Sequence, residues 1–164
     1  MKALAAAARL AAAASAALAL ALAPLMQDEG KRNVGYLDIA RVPTACYGHT
    51  GREVRVGARY SDPQCAALLE ADARAHLTGV QRCAPAIAER PYQLAAATRL
   101  AFNIGVAGFC RSTAARRFAA GDLRGGCDAF LRFDKARVNG KLVVVRGLQL
   151  RRERERAMCL TELA

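Results

Sequence analysis

The sequence predicts an α+β fold, mostly helical, with a small antiparallel sheet lobe joined to a larger helical lobe. Three observations predict it. Hydrophobic residues make up 54% of the chain but aromatics only 5%, so the core is built mainly from Ala, Leu and Val, and Ala and Leu are strong helix formers. The stretch 30–60 is punctuated by Gly30, Gly35, Pro43, Gly48, Gly51 and Gly57 with short β-leaning runs between them, the pattern of a small sheet. From position 61 onward, capping residues and helix-spaced apolar residues alternate with short breaks. A length of 164 residues suits one domain around one core.

The first element is LAAAASAALALALAPLM at 10–26, preceded by Lys2 and Arg9 and free of charge. A positive start followed by an apolar run is the pattern of an export segment. At about 17 residues it is at the short limit of a membrane span. Its five leucines contribute about −0.6 kcal/mol each at best, and burial of Arg9 at about +2.5 to +3.5 kcal/mol would cancel most of that. Two fates suit such a segment. One is cleavage, although Pro24 spoils the small-x-small site Ala21-Leu22-Ala23. The other is retention as a loose anchor that later leaves the bilayer. An Ala-rich soluble helix is the plainer alternative. The division is thus 1–26, signal or anchor, and 27–164, the folded domain, with residues after about 15 contributing to the mature first helix.

The runs Tyr36–Ile39, Thr44–Tyr47 and Glu53–Val56 are the candidate strands. Ser61-Asp62-Pro63 starts a helix over 62–78, and Pro91 starts another over 91–104. Ser112 or Thr113 caps a helix that stops at Gly121, and Asp122 starts one ending near Phe133. The stretch 135–147 reads as irregular and basic. The last helix covers about 147–162, with Arg151 and Glu155 four apart on what reads as a solvated charged face.

The net charge is +11, and +9 remains after Lys2 and Arg9 are set aside. Such a surface favours polyanions. Nothing interleaves aromatics with the basic residues as a nucleic-acid platform would, so no nucleic-acid partner is expected. Six cysteines at 46, 65, 83, 110, 127 and 159 form no Cys-x-x-Cys pair. This argues against a zinc ribbon and for disulfides in an oxidising compartment. No metal or cofactor is expected.

Cleaving a glycosidic bond takes a proton donor and a second carboxylate facing it. Glu29 follows the apolar segment, the kind of setting in which a carboxyl keeps its proton. Asp38 lies in the first candidate strand, in polar surroundings, and the Thr44 hydroxyl follows on the next run. As isolated residues these three carry little weight. Their spacing is more specific: Glu29, eight residues, Asp38, five residues, Thr44. Together with Gly30, Tyr36 and Gly48-His49-Thr50-Gly51, it resembles the signature of the phage lysozyme family, glycoside hydrolase family 24. Phe102-Asn103-Ile104-Gly105, Ser112-Thr113, Gly121-Asp122 and Gly147-Leu148…Arg151-Arg152 extend the resemblance to the C-terminus. Phe133, where relatives usually carry Trp, and the 135–146 stretch, without paired glycines, depart from it.

The resemblance implies a lysozyme-like fold and an inverting muramidase that cuts peptidoglycan. Glu29 would be the acid, with Asp38 and Thr44 placing the water. It implies a His49–Asp72 bridge of structural kind, a substrate contact at Asn103, and the disulfides Cys46–Cys65, Cys83–Cys110 and Cys127–Cys159. The N-terminus resembles that of lambdoid signal-arrest-release endolysins, which implies export to the periplasm through a loose inner-membrane tether and action as a monomer. The competing readings are a non-catalytic basic envelope-binding or membrane-disrupting protein and a lytic transglycosylase.

Overall fold

The computed structural model describes residues 1–163. Helix α1, Lys2–Glu29, runs through position 26 without a break. Its buried face is Ala13, Ala17, Leu18, Ala21 and Leu25, a stripe at helical spacing. The turns before Ala13 are mostly exposed. α1 packs on α3, Pro91–Ile104, and on α2, Asp62–Cys83. Small alanine side chains on both α1 and α3 let their backbones approach closely.

Gly30, with φ of 67°, turns the chain out of α1 into the sheet. Three antiparallel strands follow in the order β1, Arg32–Leu37; β2, Pro43–Cys46; and β3, His49–Thr50. Tyr36 pairs with Thr44, and Thr44 with Thr50. The candidate run Glu53–Val56 forms no strand. It turns instead, with Val54 N–H donating to Gly51 C=O and Ala58 N–H to Arg55 C=O. Gly35 explains the path: a Cβ there would collide with the Arg55 carbonyl, so the loop crosses β1 at its glycine.

Ser61 and Gln64 close a reciprocal capping box at the start of α2. The helix passes the expected stop at 78 because Gly79 is a packing site, not a cap; a Cβ there would strike Val106. α3 is buried all round over Gln93–Ala101 and is the axis of the helical lobe. Short helices α4 (Val106–Cys110), α5 (Thr113–Ala119, capped by Ser112) and α6 (Leu123–Asp128, capped by Asp122) wrap it. The helix expected over 122–133 changes to a 3-10 turn at Ala129–Arg132. The stretch expected to be irregular is a hairpin, β4 (Lys135–Val138) and β5 (Lys141–Val144). Asn139-Gly140 at its tip, φ 47° and 80°, is the left-handed pair that a tight hairpin turn requires. α7, Arg146–Leu160, closes the lobe against α3.

Three disulfides lie between elements: Cys46–Cys65 joins β2 to α2, Cys83–Cys110 joins α2 to α4, and Cys127–Cys159 joins α6 to α7. The sheet has only a small cluster of its own, Ala45, Cys46, Val54 and Cys65. The first bond therefore ties a lobe with little core to one with much.

The packing of α1 predicts a sharp contrast along one helix. Leu25→Ala, at a fully buried position, costs about 2–5 kcal/mol of stability. Leu4→Ala, at a 78% exposed position, costs less than about 0.5 kcal/mol. Urea titrations of the full chain measure both.

Candidate active site

Glu29 is the last residue of α1, and Asp28 precedes it. Both face arginines of α3 and α7. Arg151 Nη1 donates to Glu29 Oε1 at 2.8 Å, and its Nη2 donates to the Asp28 carbonyl at 2.6 Å. The Asp28 carboxylate, nearly buried, accepts from Arg99 Nη2 at 2.7 Å and from Arg154 Nη2 at 2.9 Å. Glu29 thus sits against a guanidinium rather than the apolar wall that its place after the alanine run suggests. A depression of about 360 Å³ next to Asp28 is lined by Gln27, Val145, Leu148, Arg151 and Arg154 among others.

Asp38 lies one residue past β1, in the β1–β2 turn rather than in the strand. Its Oδ1 accepts from Ala40 N–H and Val42 N–H, both at 2.8 Å. Val42 C=O in turn accepts from Asp38 N–H at 3.0 Å and from the Thr44 hydroxyl at 2.9 Å. Asp38 and Thr44 are therefore fixed by a shared residue. No hydrogen bond links either of them to Glu29 among the described residues. Glu29 is held by the helical lobe, and the other two by the sheet.

His49 is buried, with Nδ1 2.8 Å from Asp72 Oδ2 and Nε2 2.8 Å from Glu53 Oε1. Both ring nitrogens are engaged, so His49 is a strut between β3 and α2. Burial opposes its charge, but hydrogen bonds and the charges of Glu53 and Asp72 outweigh burial and raise its pKa. Glu53, the second partner, lies four residues on, within the turn that replaces the expected strand. Asn103, exposed at the end of α3, accepts at Oδ1 from Arg152 Nη1 at 2.8 Å. Among the described residues no cluster of three or more His, Cys, Asp or Glu is placed to hold a metal.

The phage lysozyme family model matches residues 26–155, which span both the acid pair and the arginines of α7. The chain belongs to the phage lysozyme family. It is an endolysin of lysozyme type, a muramidase-class hydrolase. It is 37% identical to the SAR-endolysin of Enterobacteria phage P21 over 134 residues, covering 80% of this chain and 77% of that one. The active form of P1 phage endolysin Lyz superposes with a TM-score of 0.74 at 28% identity, covering 91% of this chain and 85% of that one. The secreted inactive form of the same endolysin gives 0.51 at 27% identity, covering 70% and 78%.

The α7 charge run of this lysozyme is not a solvated face. Arg152 and Glu155 are fully buried, and they pair with each other at 2.7 Å in place of the expected Arg151–Glu155 pair. A signal for this was present: Arg152, Glu155 and Cys159 fall at helical spacing on the face that carries the disulfide. Asp28 and Arg99 had no such signal, because their partners lie far away in sequence.

Burial pushes the Glu155 carboxyl up to about 7, against the opposing pull of Arg152 and Arg99. Between the ordinary carboxylate range and about pH 7, native Glu155 keeps a proton that the unfolded chain loses. Stability therefore falls as pH rises through that window, by up to about 1.4 kcal/mol per pH unit. His49, with a raised pKa, works in the same direction, since its stabilisation is present at low pH and is lost as pH rises past its folded pKa. Glu155→Gln removes the first contribution. Urea midpoints between about pH 5 and 8 then fall less steeply with pH than in the wild type; an unchanged slope contradicts the assignment.

Proposed function

We propose that this lysozyme hydrolyses the β-1,4 bond between N-acetylmuramic acid and N-acetylglucosamine, with Glu29 as acid and Asp38 and Thr44 placing the water. The observation that carries the reading is the separate fixing of the two sides. The helical lobe presents Glu29 through Arg151, and the sheet presents Asp38 and Thr44 through Val42. Arg151 takes Oε1, which leaves Oε2 to carry the transferred proton. Glu29 gives that proton to the glycosidic oxygen as the C1–O bond breaks. Water attacks C1 from the opposite face, and its proton passes to Asp38. One displacement inverts the anomeric centre. Asn103, held by Arg152, is a substrate contact.

Residues 1–26 act first as an export segment and loose inner-membrane tether. α1 is long and apolar enough to cross a bilayer. At about 1.5 Å per residue it also exceeds the roughly 30 Å hydrocarbon core. The same helix packs through Ala13–Leu25 against the domain, and it ends on the acid pair. Export thus precedes docking, and docking delivers Glu29. The fold's stronger likeness to the active than to the inactive P1 endolysin supports the docked helix as the working state.

Glu29→Gln lowers lysis of purified cell walls by at least about 10²-fold at unchanged melting temperature, and wild-type activity in this variant would overturn the acid assignment. Proton NMR of the first products shows the α-anomer. A β-anomer contradicts inversion, and a 1,6-anhydro sugar contradicts hydrolysis.

A further inference from the structure

The hairpin β4–β5 stands apart from the core. All of its strand residues except the half-buried Ala136 are exposed. The register places Lys135 opposite Val144 and Arg137 opposite Leu142 on one face, with Ala136 opposite Val143 and Val138 opposite Lys141 on the other. Each face therefore sets branched aliphatics beside cations. Leu142 is 63% exposed and Val144 54%. Asp134 is the single acid between residues 129 and 152. Two four-residue strands without a covering layer are marginal by themselves, and exposed aliphatics on both faces mark a surface that meets a ligand.

Two features say what covers it. β5 runs directly into Val145, which lines the depression beside Asp28 and Arg151, so the arm rises from the rim of that depression, whose Arg151 holds Glu29. Its tip is polar, Asn139-Gly140 followed by Lys141, and three of its four large aliphatics, Leu142, Val143 and Val144, lie toward the base. A wedge for a bilayer would carry its apolar residues at the tip. A peptide chain lying along the rim would meet them where they are.

We propose that β4–β5 is a substrate-reading arm that binds the acidic stem peptides of the peptidoglycan strand held at Glu29. The inference rests on the muramidase reading and deepens it. Stem peptides carry free carboxylates and alanine methyl groups, which match Lys135 and Arg137 beside Leu142 and Val144 on one face, with Lys141 beside Val143 on the other. Attraction to exposed carboxylates weakens with salt; contact with the methyls does not.

The test is the full chain carrying Lys135→Gln, Arg137→Gln and Lys141→Gln together, with melting temperature as the folding control. On intact sacculi at low salt, KM rises about tenfold with kcat unchanged. On glycan strands stripped of peptide by an amidase, wild type and variant have the same KM. Calorimetric titration with a soluble acidic stem peptide shows binding to wild type and at least tenfold weaker binding to the variant. This readout needs no cleavage, so it separates failure of the arm from failure of the muramidase reading. Equal KM on intact sacculi, or an equal deficit on stripped strands, overturns the proposal. So does a variant that keeps its KM on sacculi but no longer pellets with phosphatidylglycerol vesicles, which would assign the arm to the membrane.

Discussion

The structure depends on how two carboxylates are tolerated at the wrong end of a helix. Asp28 and Glu29 close α1, where the exposed carbonyls of the last turn already carry partial negative charge and disfavour anions. Asp28 is nearly buried as well, and an unpaired buried charge costs several kcal/mol. Arg99 on α3 and Arg151 and Arg154 on α7 supply the compensation. The dependence runs both ways: without α1, Arg99 and Arg151 would lose the carboxylates they bond. One ionic clamp therefore joins α1, α3 and α7 and fixes the Glu29 side chain.

Behind that clamp lies a second charged layer. Arg152 bridges Glu155 and Asn103, so the residue next to Arg151 in sequence carries the opposite side of α7 into the core. The layer is not fully satisfied. Among the described residues, Arg152 Nε and Glu155 Oε2, with Arg99 Nε of the clamp, are buried without a hydrogen-bond partner. Buried polar groups left short of partners are costly, and such networks are strongly directional. Arg152 and Glu155 lie midway along α7, the helix whose arginines hold Glu29 and Asn103. The sheet lobe uses a different device. It has little core and is pinned by the Cys46–Cys65 bond and by His49 between Glu53 and Asp72.

Much of this was legible in the sequence. Ser61, Pro91, Ser112 and Asp122 mark helix starts by local chemistry, and local chemistry is what a sequence carries. The Glu29, Asp38 and Thr44 spacing carried the resemblance, and in the structure the six residues of β1 lie between the end of α1 and the turn that holds Asp38. What escaped depends on contacts distant in sequence. Gly79 reads as a helix stop unless Val106 is known to press on it. Glu53 reads as part of a strand unless His49 is known to need a second acceptor. Arg152 and Glu155 read as solvent-facing because a pair of opposite charges looks the same in sequence whether it is wet or buried. The hairpin was the avoidable miss, because Asn139-Gly140 between two short apolar and basic runs is a local turn signal.

The central claim is that the segment which reads as an export signal is also the helix that delivers the acid. The intact mass of the active periplasmic enzyme tests it directly. The account predicts an N-terminus at or before Ala13, so that every buried residue of α1 is retained. A fully active species beginning at Pro24 or later would contradict it, because Ala13, Ala17, Leu18 and Ala21 would then be absent and Glu29 would need another support.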